Sequence, residues 1–460
     1  MRVLLLNPPS SPPVLRDFCC GETAKASYYW APIDLLALSG RLSAGHEVFV
    51  LDATAERLGF ERAISRAAGL RPDWVISLVA AVSLGSDLDF LEKLHGVTGC
   101  RTAVLGDSAF FHTERLLASS SFLEAAILDF TSPGVLRLLE GRRDLAEGVA
   151  FLERGLLRTV ASRTGQSFDY PAPRHELFPS GSYSMPYSRH RRIATMLYGY
   201  GCPFRCSFCS SWKLGYRRRD RDSFLEEYRK IASLGFREFF LRDLTFGVDA
   251  GDAAALCEAM AAEGSGMVWS CEARADTVDR RLLGLMREAG CHLVMIGVES
   301  ANPESLSLAG KNISPERTRE VFQWAREAGI STLGHFIIGL PGETPDSARA
   351  TIRLARDLGC DFASFNLLVP RLGSEVRSAL VSSGSLAEED LSDLDCSRDA
   401  PSACDLGPAE LRRLQREAMM RFYCRPLHVL RLLSRVRSPE HALVLARNGI
   451  SVVARLLGVR

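Results

Sequence analysis

At 460 residues the chain is long enough for two or three domains with sizeable cores. Its 56 basic and 55 acidic side chains leave a formal net charge of +1, so no nucleic acid partner is expected. Hydrophobic residues make up 47%, an ordinary share for a globular protein, and no apolar run approaches the roughly 20 residues that span a bilayer. Thirteen cysteines are scattered instead of forming a regular framework, which points to a reducing, cytoplasmic setting.

The apolar start, Met1 to Leu6, is too short for a signal peptide. Val3 to Leu6 reads as a buried strand, stopped by Asn7-Pro8-Pro9. Pro32 to Ser43 places apolar residues at helical spacing, with Gly45-His46 as its stop. Strands follow at Glu47 to Leu51, Trp74 to Val79 and Thr102 to Leu105, with a weaker one near Ala125 to Leu128. The alternation predicts a Rossmann-like doubly wound parallel sheet over residues 1–135, with any ligand outside the carboxyl ends of its strands. Residues 136–187 hold Pro171, Pro173, Pro179 and Pro186 among Gly and Ser, and read as a linker.

A second alternating series fills residues 188–375. Its predicted strands are Ile193 to Tyr198, Glu238 to Leu241, Val268 to Glu272, Leu293 to Gly297, Thr332 to Ile338 and Phe362 to Leu368. Helices are expected between them, near Phe224 to Leu234, Ala253 to Ala262, Arg280 to Ala289, Pro315 to Ala328 and Ser347 to Leu358. Ser314 is the expected cap of the fourth, with Pro315 at its first position. Six parallel strands with intervening helices predict a partial (β/α)6 barrel of TIM type, with its functional groups at the carboxyl ends of the strands.

The first of those strands delivers Tyr200-Gly201-Cys202-Pro203-Phe204-Arg205-Cys206-Ser207-Phe208-Cys209. Thiolates are soft ligands suited to iron-sulfur clusters or zinc. Three of them at C-x3-C-x2-C spacing, with no fourth nearby, leave one coordination position open, as a reactive site requires. A closed zinc site completed by a distant His or Cys is the alternative reading.

This loop, with Phe208 as the aromatic before the last cysteine, resembles the signature of the radical S-adenosylmethionine (SAM) enzymes. The resemblance implies that Cys202, Cys206 and Cys209 hold three irons of a [4Fe-4S] cluster, while SAM occupies the fourth iron. Reduction of the cluster then cleaves SAM to methionine and a 5′-deoxyadenosyl radical. An external reductase or flavodoxin-type donor is implied as the source of electrons.

Further matches lie at the strand ends. Arg274 in Glu272-Ala273-Arg274-Ala275-Asp276 matches a position that holds the methionyl carboxylate of SAM. Gly297-Val298-Glu299-Ser300 resembles the segment whose carboxylate or hydroxyl meets the SAM ribose or amino group. In Phe336-Ile337-Ile338-Gly339-Leu340-Pro341-Gly342-Glu343, backbone atoms near Ile338 and Gly339 are implied to pack on adenine. Asp243 closes the second strand, where a contact to SAM or substrate is implied. Each also has a structural reading: an ion pair for Glu299, a pair with Asp276 or Glu272 for Arg274, and a strand-to-helix turn for Ile338-Gly339.

The N-terminal third resembles the cobalamin-binding domain that precedes the radical domain in one class of the superfamily. The match rests on Leu4 to Pro9, Ala31 to Leu36, Gly45 to Val48 and the segment around Ser77. It departs from the class at Gly106-Asp107-Ser108-Ala109, where a Gly-Gly-Pro-His-like turn is usual, and at Asp129 to Ser132. The resemblance implies cobalamin-dependent methylation of an unactivated centre in a natural product or lipid. The other readings are radical cyclisation, coupling or rearrangement on a scaffold sheet, and a non-catalytic metal- or cobalamin-binding protein.

From Leu406 onward the chain reads helical, broken at Pro426 and Ser438-Pro439, within a C-terminal region of residues 376–460. Apolar residues alternate there with Arg431, Arg447 and Arg455. Such a stretch packs on the preceding domain with its arginines in water, or lies on an anionic membrane surface as a peripheral contact. Cys396, Cys404 and Cys424 are read as incidental instead of as ligands of an auxiliary cluster.

Overall fold

Val3, Leu4, Leu5 and Leu6 are all fully buried, as a strand covered on both faces requires. Each such side chain contributes roughly 1.5–3 kcal/mol by leaving water. They form β1 (Arg2–Asn7) in the computed structural model, which describes residues 1–19, 21–23, 29–162, 165, 167–388 and 402–456. The chain divides into two units, Met1–Tyr183 with Arg217–Leu234, and Ser184–Tyr216 with Gly235–Arg460.

In the first unit, α1 (Ile33–Leu42), β2 (Glu47–Asp52), α2 (Phe60–Gly69), β3 (Trp74–Leu78), α3 (Leu84–Thr98), β4 (Arg101–Leu105) and β5 (Leu123–Ile127) follow β1. The hairpin β6 (Val149–Glu153) and β7 (Leu156–Val160) completes a seven-stranded sheet in the order β2-β1-β3-β4-β5-β6-β7. The first five strands run parallel, and the last two are antiparallel to their neighbours. This is the expected doubly wound sheet. Its extension corrects the linker reading of residues 136–187. Arg154 and Gly155 both adopt positive φ (51° and 80°), the demand of a two-residue hairpin turn, which Arg-Gly meets without an Asn-Gly signature. The helix α4 (Arg221–Ser233), expected among the barrel helices, belongs to this unit; its Glu227, fully buried, pairs with Arg219 and with His175.

The second unit is built on six strands: β8 (Ala194–Met196), β9 (Glu238–Phe246), β10 (Val268–Arg274), β11 (Cys291–Glu299), β12 (Ser331–Ile338) and β13 (Phe362–Leu367). They lie side by side in chain order, and every pair is parallel. The connecting helices are α5 (Ala250–Ala262), α6 (Arg280–Glu288), α7 (Pro315–Glu327) and α8 (Pro345–Asp357). Ser314 caps α7 as expected, its side chain accepting from the amide of Arg317. The helix α8 starts two residues before its expected position, because Thr344 and Ser347 form a reciprocal capping box around Pro345. Toward the C-terminus lie α9 (Pro408–Tyr423), α10 (Pro426–Ser434) and α11 (Pro439–Leu456), each opened by a proline, the last two at the breaks read from the sequence. Tyr423 Oη donates to the carbonyl of Ala363 at 2.8 Å, which ties α9 to β13. Cys396 lies outside the described residues, whereas Cys404 is half-buried and Cys424 exposed. No helix among the described residues is long and apolar enough to cross a membrane.

Candidate functional site

The cysteine loop leaves the carboxyl end of β8 and is fixed by backbone bonds before any ligand is considered. The amide of Ser207 donates to Ala309 O at 2.9 Å, and Ser207 O accepts from the amide of Val376 at 3.0 Å. Cys209 N donates to Cys206 O at 3.0 Å, closing a turn that gathers the last two thiols. Gly201 adopts a φ of +77°, and a Cβ there would sit 1.5 Å from the carbonyl of Gly215, so only glycine fits. Phe208 packs against Val376, Leu380 and Leu386, anchoring the loop to the segment after β13.

Cys202 and Cys206 are buried, and Cys209 is half-buried. Burial raises the pKa of the Cys206 thiol, a shift that nearby Lys311 and Arg274 oppose. Burial also raises Cys209, and the neighbouring Cys202 adds to the shift. Cys202 Sγ lies 3.6 Å from Thr245 Oγ1, and Cys209 Sγ lies 3.2 Å from Ser211 Oγ. Among the described residues, no three His, Cys, Asp or Glu side chains converge on a single metal ion. A cubane cluster makes no such demand, since each thiolate binds a different iron.

Around Cys206 the structure brings together residues from two other strand ends and the loop before α7. Arg274, at the end of β10, places Nη1 3.4 Å from Cys206 Sγ and forks onto Asp276 with two bonds of 2.8 Å. Its guanidinium also stacks 3.8 Å from the centre of the Phe204 ring. The ion pair with Asp276 is therefore present, with Arg274 buried beside the thiol and Asp276 exposed. Glu299, at the end of β11, pairs with Lys311 at 2.6 Å, both side chains nearly excluded from water. Glu299 sits at a φ of +65°, a strained conformation for a residue with a Cβ. A Cβ on Gly297 would come within 2.5 Å of both charged atoms, so that glycine makes room for the pair. Sequence reasoning missed Lys311. The available signal was a lone lysine between a helix-ending Gly310 (φ +64°) and the Ser314 cap of α7, a position with no surface helix to explain it.

The other expected residues are engaged by the chain itself. Asp243, at 2% exposure, accepts from the amides of Tyr198 (2.8 Å) and Gly199, and burial pushes its pKa up to about 7. Ser300 is bonded to Thr351 Oγ1 at 3.2 Å and to the amide of Asn302 at 3.0 Å. The carbonyl of Ile338 accepts from Leu368 N at 2.9 Å. Gly339 (φ +98°) donates its amide to Glu343, a second buried carboxyl whose pKa rises to about 7. Glu343 was also missed, although it stands four residues after Gly339 in the quoted motif. Arg274 and Glu299 thus end their strands near the cysteine loop and Asp243 lies inside β9, which runs on to Phe246, while Ser300, Ile338 and Gly339 are held by bonds that shape the adjoining turns.

The comparisons with known proteins follow this geometry. The Radical SAM superfamily matches residues 196–355, from the end of β8 to within α8. The chain is 26% identical over 443 residues to the uncharacterized methyltransferase PH0819 of Pyrococcus horikoshii, covering 93% of each. It is 26% identical over 390 residues to the anaerobic magnesium-protoporphyrin IX monomethyl ester cyclase of Rubrivivax gelatinosus, covering 80% of this chain and 68% of the cyclase. Among solved structures, the radical SAM methyltransferase TsrM of Kitasatospora setae, with cobalamin and a [4Fe-4S] cluster bound, aligns over the full length of both chains with a TM-score of 0.71 at 18% identity. Over residues 196–355 the chain is similar to the radical SAM superfamily. Its fold is that of TsrM, a doubly wound sheet in the N-terminal part and a partial barrel after it.

Proposed function

We propose that the chain is a radical SAM enzyme that methylates an unactivated centre of a small molecule with the help of cobalamin. One observation carries the reading. Three thiols stand on a backbone-fixed loop at the carboxyl end of the parallel strands, with Arg274 and the Lys311–Glu299 pair around Cys206. Bound there, a reduced [4Fe-4S] cluster supplies the electron that splits SAM. Cys202, Cys206 and Cys209 hold its irons, and the cations near Cys206 favour the thiolate form that ligation needs. Arg274 donates toward the Cys206 sulfur, and it reaches the methionyl carboxylate of SAM only by exchanging Asp276. Glu299 and Asp243 are the carboxylates placed to meet the ribose, amino group or substrate, with Lys311 holding Glu299 in position. Phe208 fixes the loop, and Ile338 and Gly339 shape the wall for adenine. Electrons come from a reductase or flavodoxin-type partner.

Cobalamin dependence is supported by the fold of the N-terminal unit and by the methyltransferase names among the similar proteins. A second reading, cyclisation without cobalamin, is favoured by one observation. At the carboxyl ends of its strands, Asp107 accepts from the amides of Gly21 (2.7 Å), Ala81 (3.0 Å) and Ser108 (2.6 Å), stapling the loops where a ligand of such a sheet lies. The name of the Rubrivivax relative points to cyclisation as a reaction. Retention of cobalamin by the anaerobically reconstituted protein after desalting separates the two. Stable retention supports methyl transfer, and loss of cobalamin with the cluster spectrum intact supports cyclisation or coupling.

A lipid-like substrate, reached by peripheral membrane contact, fits the C-terminal helices. On α10, Leu427, Leu430 and Leu433 are 82%, 61% and 61% exposed at i, i+3 spacing, and Arg412, Arg413 and Arg416 line a surface groove on α9. Flotation with anionic liposomes tests this, and equal binding with and without residues 406–460 contradicts it.

A further inference from the structure

The opposite end of the six-stranded sheet carries a second polar site. At the amino ends of β11, β12 and β13, under α10 and α11, lies a cavity of 180 Å³. Its polar lining includes Tyr187, Arg189, Ser331, Arg435, Arg437 and His441. All of these offer N–H or O–H donors.

The carboxylates near the cavity are already spent. Glu238 accepts from the amides of Arg189 and His190, both at 2.7 Å, and is bonded to His292 Nε2 at 2.8 Å. Asp361 accepts from Arg435 Nη1 at 2.6 Å and from the amide of Thr332 at 3.0 Å. Glu440 pairs with Arg237 and His190. The guanidinium groups of Arg189 and Arg437 have no ion-pair partner among the described residues. Arg189 is pressed below its ordinary pKa by burial and by the like charges of Arg287 and Arg437, against the pull of Glu238. The site therefore holds positive charge that the chain does not neutralise.

The donors are also arranged for an anion. Arg435 is fixed by Ser331 Oγ (2.9 Å) as well as by Asp361. His441 Nδ1 accepts from the amide of Arg437 at 3.3 Å, which leaves Nε2 as the proton-bearing nitrogen of the neutral ring. Burial together with Arg189 and His292 lowers the His441 pKa, so that ring stays a neutral donor. The helix α11 starts at Pro439 beside the cavity, and the positive end of its dipole adds to the same field. The partly desolvated Arg189 guanidinium has no counter-charge, which is costly, and a bound anion offsets that cost, with the exposed Arg437 adding charge at the rim.

We propose that this cavity binds a phosphoryl group, as free phosphate or as a small phosphate monoester, through Arg189, Arg435, Arg437 and His441. The site stands apart from the cysteine loop, at the other end of the strands, and does not depend on the proposed reaction. Occupancy would pin α10 and α11 to the base of the barrel.

Thermal unfolding of the full-length reconstituted protein tests the assignment. Inorganic phosphate is titrated against sodium chloride at matched ionic strength. A saturable rise in Tm with phosphate and none with chloride is expected. Arg189→Gln and Arg437→Gln, which break no ion pair, should each weaken half-saturation about tenfold and leave the Tm in chloride unchanged. A phosphate response that both variants retain, or the absence of a saturable response in the parent chain, overturns the proposal. Glycerol 3-phosphate in place of phosphate identifies the source. Tighter half-saturation assigns an organic ester, and equal or weaker half-saturation assigns the free ion.

Discussion

The two ends of the six-stranded sheet treat charge in opposite ways. At the carboxyl end the buried cations are matched: Arg274 to Asp276, Lys311 to Glu299 and Arg242 to Glu272. What that end offers a ligand is a set of thiols whose ionisation burial opposes. At the amino end the carboxylates are spent on backbone and histidine, and the guanidinium groups of Arg189 and Arg437 are left over. A site prepared for a metal cluster gathers thiols and sets cations beside them that favour the thiolate. A site prepared for an oxyanion leaves cations without a counter-charge. The groups offered differ in sign, and so should the ligands.

The largest effect should come from removing the thiols. Replacing Cys202, Cys206 and Cys209 together by alanine should abolish bound iron and sulfide after reconstitution, leaving the far-UV circular dichroism unchanged. Iron retained at the parent level would place the cluster elsewhere. Next is Lys311→Met, which strands Glu299 as a buried carboxylate. Breaking a buried pair from one side costs roughly 3–5 kcal/mol, to be read as a lower urea midpoint. Adding Glu299→Gln to that variant should recover most of the loss, because the stranded charge is then gone. A double variant as unstable as the single would show that packing, not charge, sets the cost.

The smallest expected effect is on pH dependence. Asp243 and Glu343, each raised to about 7 by burial, bind their protons more tightly folded than unfolded. The stability they confer is complete below about pH 4, the ordinary carboxylate range, and is lost as pH rises through about 7. Asp129 and Glu227 act in the other direction, but their depressed values confine that loss to more acid solution. Burial lowers the His428 pKa to about 4 and also lowers His441, so these groups gain stability as pH rises and offset part of the loss; the carboxyl contribution, read from urea unfolding of the metal-free chain, is a fall of about 1–3 kcal/mol between pH 5 and pH 8. Asp243→Asn should flatten part of that fall. An unchanged slope in this variant would contradict the buried, proton-holding role.

Much of this was legible in the sequence, and the limits have physical causes. The six barrel strands are runs of buried apolar residues bounded by Gly, Pro and caps, so periodicity located each of them to within a few residues. The cysteine spacing is local and needed no tertiary information. The hairpin of β6 and β7 was lost because its turn is Arg-Gly and its second strand is largely exposed, so neither alternation nor turn chemistry marked it. Lys311 and Glu343 act through contacts made only on folding. The pairing of Lys311 with Glu299 spans twelve residues and a short helix, Pro303–Leu308, and no local pattern encodes it. The amino-end cavity draws on Arg189, His292, Ser331 and Arg435, which only the closed sheet brings together.

The central claim is that the cysteine loop holds a cluster that splits SAM, and it can be tested without knowing the substrate. The anaerobically reconstituted chain is reduced with dithionite in the presence of SAM, and 5′-deoxyadenosine is quantified against the triple cysteine variant. The account predicts iron and sulfide in the proportion of one [4Fe-4S] cluster per chain, with 5′-deoxyadenosine formed by the parent and none by the variant. Equal formation by both, or none by a parent chain with its cluster intact, would contradict it.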